Sequence, residues 1–224
     1  MLDKFITLFE TPFAKRRIGK DGDGGYVIID NNLEGYSGLI GMGIKDDNSF
    51  EMEFQGISNC YVQQYDYSID EPPSEIPNSD FFKVKVEKQS DLADLDKLGD
   101  RRFMKMDIEG SEWDLLKDID LSKFEQIACE LHFHSFNDPL PLERLTEHHN
   151  FVHAHANSCD FSFIPYITKN GTIAMFPKTI EFTLLRKDLC EFSPNRTWYP
   201  TPLDQSCDTR PDFDMRMYPF TPVI

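Results

Sequence analysis

The sequence predicts an α/β fold: a mostly parallel sheet with helices on both faces, closed by an antiparallel last strand. Three observations predict it. Short apolar runs of strand length alternate with stretches at helical spacing from about residue 37 onward, the pattern of right-handed βα units. Several of those runs stop at glycine or a carboxylate, as at Gly41-Met42-Gly43, Asp66 and Asp107. In the last third, strand-like runs at 151–156 and 179–186 are separated by Pro and Gly turns rather than a long helix, so they read as an antiparallel pair.

Each element has its own signal. Residues 1–17 read as a short amphipathic helix and a Pro-containing turn, and Lys15-Arg16-Arg17 within it as a solvated turn. Gly22, Gly24 and Gly25 form a glycine-rich turn before a short strand, Tyr26-Val27-Ile28-Ile29. The first strand of the βα series covers 37–43. Asn48-Ser49-Phe50-Glu51 starts a helix, with an Asn cap and a Glu three positions later. Further strands fall at 60–66, 81–86, 103–108 and 126–133. Helices fall at 92–98 and at 111–119, where Trp113, Leu116 and Ile119 share the sheet-facing side. The chain divides into an N-terminal cap and glycine-rich turn at 1–35, a core at 36–190 and an irregular tail at 191–224. Together these make one domain.

Composition excludes several functions. With 224 residues, 40% of them hydrophobic, the chain can bury a sizeable core. Its 39 acidic and 23 basic residues give a net charge of −16, which repels phosphate backbones and argues against nucleic acid as partner. The five cysteines include no C-x-x-C pair and are odd in number. That argues against a disulfide framework or a cysteine zinc site and points to a reducing cytoplasm. No run approaches the roughly 18 apolar residues of a membrane span. The reading is a soluble protein of the cytoplasm.

In an open α/β sheet, ligands bind beyond the carboxyl ends of the strands, so the residues there are the candidates. Gly41 and Gly43 let a cofactor approach the backbone. Asp46 stands where a dinucleotide-binding motif would place its third glycine. Asp66 follows the next strand about 20 residues on, the position of a carboxylate that accepts ribose hydroxyls. Asp107 opens a run with Glu109 and Glu112 at a strand-to-helix turn, where part of the acidity serves the helix start. Glu130, His132 and His134 share one face of a strand by the period of two. They offer either a general base or metal ligands. His153 and His155 repeat the pattern on the next strand, with Asn157 beyond.

At these residues the chain resembles the FkbM-like S-adenosylmethionine-dependent methyltransferases. Three stretches carry the resemblance: Phe103-Met104-Lys105-Met106-Asp107-Ile108-Glu109-Gly110-Ser111-Glu112; Ile18-Gly19-Lys20-Asp21-Gly22-Asp23-Gly24-Gly25-Tyr26-Val27; and His153-Ala154-His155-Ala156-Asn157 with Ile180-Glu181-Phe182-Thr183. Leu203-Asp204 adds to it. The likeness covers roughly residues 16–220. One departure stands out: the first strand ends in Gly-Met-Gly-Ile-Lys-Asp-Asp rather than Asp-x-Gly-x-x-x-Gly.

The resemblance implies a Rossmann-like class I methyltransferase fold, a seven-stranded sheet, S-adenosylmethionine as methyl donor and, as acceptor, a sugar-type hydroxyl of a small-molecule or glycan substrate. Asp23, Gly25, Gly41, Gly43, Asp66 and Asp107 are then the cofactor-binding candidates. Asp107, Glu130 and His132 are the catalytic candidates and also the candidate ligands of a divalent cation, Mg or Mn. His134, His153, His155 and Asn157 are the acceptor-binding candidates. Two other readings compete. A nucleotide-sugar oxidoreductase is disfavoured by the missing third glycine and the absence of an obvious Tyr-x-x-x-Lys pair. A non-catalytic scaffold is disfavoured by the clustered carboxylates.

Overall fold

A computed structural model describes residues 5–135, 138–156, 162–167, 171–207, 212–215, 220 and 222. In chain order, β1 (Phe9–Glu10), β2 (Lys15–Ile18) and β3 (Tyr26–Ile29) precede the main sheet. They are followed by β4 (Gly38–Met42), α1 (Ser49–Ser58), β5 (Tyr61–Tyr65), β6 (Ser79–Phe82), β7 (Arg102–Met106), α2 (Glu112–Asp118) and β8 (Gln126–His132). Next come α3 (Leu140–His148), β9 (His149–His155), β10 (Phe163–Ile167), β11 (Ile173–Pro177), β12 (Thr179–Arg186) and β13 (Ser193–Pro194).

Seven strands form one sheet in the order β6-β5-β4-β7-β8-β12-β9. The first five in that order pair parallel. β12 runs antiparallel between β8 and β9. This is the expected mostly parallel sheet with an antiparallel last strand. The chain moves outward from β4 to β6 and then returns to the other side of β4 at β7. The crevice of an open α/β sheet lies at that reversal.

Alternation along the strands builds two apolar layers. Leu39, Val62, Phe103 and Ala128 pack with Phe50 and Phe54 of α1 and with Ile18 and Ile28 of the β2–β3 hairpin. On the opposite face, Ile40, Met42, Met104, Met106, Ile127 and Cys129 pack with Leu115 and Leu116 of α2 and Leu142 and Leu145 of α3. Both sheet faces are therefore covered by helices, as a parallel sheet requires.

Several local expectations are corrected. Residues 5–17 are extended, not helical. Leu8 bridges to Phe151 and β1 pairs with β13, so these apolar residues are buried by strand contacts rather than by a helix face. Lys15-Arg16-Arg17 lies in β2, with Arg17 opposite Val27. The stretch 92–98 forms a tight turn of 3-10 type at Leu95–Leu98. Asp94 caps it by accepting from Asp96 N, and Gly99 at φ 71° stops it. The run is too short to repay helix nucleation. The third strand, β6, begins two residues and ends four residues earlier than expected, leaving Val84 and Val86 beyond its end. Asn48 precedes α1 as expected, but its side chain donates to Gln64 Oε1 and Ser74 O; Asp47 Oδ1 instead accepts from Ser49 N. Helix α3 and the β10–β11 hairpin fall where no element was expected. Cys207 is disulfide-bonded. Cys60, Cys129 and Cys190 are free.

Candidate active site

Strand register lines up the candidate residues. Met42 is paired with both Tyr65 and Met106, and Met106 with Cys129. The residues that follow, Gly43, Asp66, Asp107 and Glu130, therefore stand side by side at one edge. The ladder continues into this edge, with Gly43 N donating to Tyr65 O (2.9 Å) and Asp107 N to Met42 O (3.0 Å). Gly43 has φ 81°, and a Cβ there would lie 1.6 Å from Asp107 O. Only glycine fits between the two strand ends.

Two cavities open on either side of Gly43 and Lys45. The smaller, of about 190 Å³, is bounded by Tyr65, Asp66, Val84, Val86 and Ile108. Asp66 is fixed in it, since Oδ2 accepts from Lys45 N (2.7 Å) and Oδ1 from Ser68 N and Oγ (both 2.6 Å). Burial alone would raise the Asp66 pKa, but the hydrogen bonds from Ser68 and Lys45 hold it below the ordinary value. The larger cavity, of about 410 Å³, is lined by Lys20, Asp23, Gly24, Lys45, Lys105, Asp107, Glu130, His132 and others.

Asp107, Glu130 and His132 each offer a ligand atom, all within 4.8 Å of one another. His132 Nε2 lies 3.2 Å from Glu130 Oε1, while Nδ1 lies 3.2 Å from Glu112 Oε1. Glu112 is fully buried (0%), and the same oxygen accepts from Ile108 N and Gly110 N. Tyr26 OH donates to Asp107 Oδ2 (3.3 Å), whereas Asp107 Oδ1 is buried without a hydrogen-bond partner. Burial raises Asp107 to about 6 despite the nearby Lys105 charge. Burial, reinforced by the neighbouring Asp107 charge, raises Glu130 to about 8. Burial works against charge on His132, but the Glu112 and Glu130 carboxylates outweigh it and raise the ring to about 11.

Sequence reasoning missed four supports of this cluster: Lys105, Glu51, Glu112 and Tyr26. Lys105 shares a face with Asp107 by the period of two; its Nζ donates to Gly43 O (2.8 Å) and lies 4.0 Å from Glu51 Oε1. Glu51, read as a helix-start residue, is buried against Gly41, and burial raises its pKa. Glu112, read as a residue of the helix start, also holds the His132 ring. The signal for Lys105 was its spacing; no sequence signal marks Tyr26.

Other candidates lie elsewhere. Gly41 faces Glu51 of α1, and Gly25 sits against Lys20 O and Arg17. Neither is among the residues that line the two cavities described above. His134 lines a separate cleft with Trp113, Lys117 and Asp138. His153 and His155 are buried (2% and 1%). His153 Nε2 meets Asp204 Oδ1 at 2.7 Å; His155 lies between Glu181 (3.0 Å) and Asp212 (3.1 Å). The C-terminal tail covers them, so they do not reach the cavity. Asn157 lies outside the described residues.

The model of the methyltransferase FkbM domain matches residues 13–163. The chain belongs to the FkbM methyltransferase family. The match runs from the start of the β2–β3 hairpin to β10, taking in Asp66, Asp107, Glu130 and His132 of this methyltransferase. The partners Glu181, Asp204 and Asp212 lie beyond it. No curated protein sequence matches the chain. Three solved structures are distantly similar. A Thermoplasma acidophilum protein, assigned as a methyltransferase by inference, is 10% identical with a TM-score of 0.40 and 68% of each chain covered. Precorrin-6y C5,15-methyltransferase from Geobacter metallireducens is 11% identical, TM-score 0.35, with 67% of this chain and 81% of that one covered. The bluetongue virus RNA-capping protein VP4 is 12% identical, TM-score 0.37, with 80% of this chain but 29% of that one covered. At these values the fold rests on the strand order and the family on the domain match. Among the described residues, no helix is long and apolar enough to cross a membrane.

Proposed function

We propose that this methyltransferase is a single-domain enzyme that uses S-adenosylmethionine to methylate a hydroxyl of a sugar or glycoconjugate precursor. One observation carries the reading: Asp107, Glu130 and His132 meet at the strand ends beside a cavity bounded by Gly43 and Asp66. The smaller cavity suits a nucleoside. Asp66 offers two carboxylate oxygens to the ribose hydroxyls, and Val84, Val86 and Ile108 offer an apolar wall for a base. Gly43 and Lys45 border both cavities, which puts the two within reach of one ligand. Asp23 and Lys20 line the far side of the larger cavity. Lysines and carboxylates around it give paired donors and acceptors for a polyhydroxylated acceptor, whose missing hydroxyls would leave buried groups unpaired.

S-adenosylmethionine, when bound, supplies an electrophilic methyl group. The acceptor hydroxyl loses its proton to a carboxylate oxygen of Glu130, whose raised pKa suits a base near neutral pH. His132, held between Glu112 and Glu130, keeps that carboxylate oriented. Asp107, oriented by Tyr26, positions the hydroxyl, and most of the rate comes from the near-attack geometry. The same trio fits a divalent cation. Asp107 Oδ1 is buried and free of hydrogen bonds, and the His132–Glu112 contact is the outer-shell partner that metal-bound imidazoles carry. Such an ion lowers the pKa of a hydroxyl that it binds.

The test is calorimetric titration with S-adenosylmethionine and S-adenosylhomocysteine, with and without Mg or Mn, followed by methyl transfer to a panel of sugars and nucleotide sugars. Binding with transfer to a sugar hydroxyl is expected. Absence of binding by either compound would overturn the reading.

A further inference from the structure

The glycine-rich turn between β2 and β3 brings Lys20, Asp23 and Gly24 to the larger cavity. A turn so rich in glycine has little conformational preference of its own, so something must hold it. Its base is tied to α1, with Gly19 N donating to Glu53 Oε2 (2.9 Å) and Lys20 N to Ser49 Oγ (2.8 Å). Arg17 donates to the carbonyls of Lys20 and Gly22. Its tip is held from the other end of the sequence. Gly22 N donates to Gln205 Oε1 (2.8 Å), and Gln205 Nε2 donates to Asp21 Oδ1 (3.1 Å). One amide thus uses both its acceptor and its donor on adjacent residues of the turn.

Gln205 is itself presented from a fixed platform. Asp204 pairs with buried His153 (2.7 Å) and accepts from both Thr201 N and Thr201 Oγ1 (2.5 and 2.9 Å). Tyr199 OH accepts from Lys15 Nζ (2.9 Å) and donates to Val152 O (3.3 Å). Cys207, two residues on, is disulfide-bonded. The segment therefore rests on β9 and β2 and carries Gln205 to the tip of the turn.

We propose that Gln205 is a positioning residue that clamps the glycine-rich turn against the larger cavity and so sets that cavity's affinity for its ligand. The identity of the ligand rests on the proposed function; the clamp does not. Three variants test it: Gln205→Ala, Gln205→Glu, and Gln205→Glu combined with Asp21→Asn. The first removes both bonds. The second keeps the acceptor for Gly22 N but sets a carboxylate against Asp21. The third restores a donor at position 21 and reverses the polarity of that bond.

Two readouts are taken, backbone hydrogen exchange over residues 19–24 in the ligand-free protein and the Kd for S-adenosylmethionine. Gln205→Ala should speed exchange at the turn by about tenfold and weaken binding by a similar factor, with β4 and β7 amides unchanged. Gln205→Glu should act likewise, and the double variant should recover most of the loss. Unchanged exchange in Gln205→Ala would overturn the clamp. Faster exchange with unchanged Kd would overturn its role in affinity. Wild-type protein that binds no S-adenosylmethionine would defeat the proposed function instead, and the exchange arm would still judge the clamp.

Discussion

Gly43 joins fold and site most directly, and its replacement by alanine has a calculable effect. An added Cβ would lie 1.6 Å from Asp107 O, where contacts under 3.0 Å are essentially never tolerated. The ends of β4 and β7 must therefore part by about 1.4 Å, the difference between those distances. The Asp107 N to Met42 O bond, at 3.0 Å, spans that gap and would be lost, at about 1 kcal/mol. Holding alanine at φ 81° adds about 1–2 kcal/mol. The sum, about 2–3 kcal/mol, corresponds to a fall in Tm of about 5–10 °C for a chain of this size. Gly56 is the control. It lies within α1 and a Cβ there meets nothing within 4 Å, so Gly56→Ala should stabilise by about 0.5–1 kcal/mol. Urea unfolding and thermal melts measure both, with S-adenosylhomocysteine titration of Gly43→Ala alongside. Wild-type stability and affinity in Gly43→Ala would refute the close approach of the two strand ends.

Further outcomes are expected. Asp107→Asn should abolish methyl transfer while leaving the Tm near wild type, since burial already favours a neutral side chain there; retained turnover would remove Asp107 from the mechanism. Phe103→Ala should cost about 3–5 kcal/mol in urea unfolding, because its fully buried ring meets Tyr36, Phe50 and Phe54. Burial opposes the His155 charge, but Glu181 and Asp212 raise its pKa to about 10; unfolded, it titrates near about 6.5. That stability is fully present below pH 6.5 and is lost as pH rises through 10. The urea midpoint should fall between pH 7 and 10, and His155→Gln should flatten that limb; equal slopes would count against the pairing. Lys105→Met should destabilise more than Glu51→Gln, because it leaves the buried Glu51 carboxylate without its cation; the reverse order would sink that argument.

The parts of the site that were legible in sequence are those fixed by a local rule. A parallel strand buried on both faces reads as a short, mostly apolar run, and a carboxylate directly after it stands at the sheet edge. Asp66 and Asp107 each directly follow the last apolar residue of a strand, Tyr65 and Met106, and Glu130 with His132 follows from the period of two on β8. The topology then lets register bring them together without further information. Short segments without a dominant period were less legible. Residues 5–17 contain enough apolar side chains for a helix face, but pairing with β13 and contact with Phe151 decide their conformation. Propensity yields there to tertiary contact.

His153 and His155 show why the histidine pattern alone misled. Two histidines at a spacing of two, on a strand near the end of the sheet, look the same whether they face a ligand or a covering segment. The difference lies in Asp204 and Asp212, 51 and 57 residues further along than the histidines they pair with. These acids are placed by the tail that the sequence marked only as irregular. Once the tail is in place, both rings become interior groups paired with carboxylates, and the same stretch of chain delivers Gln205 to the glycine-rich turn. The residues that look most like ligands on β9 thus anchor the segment that shapes the cavity from outside.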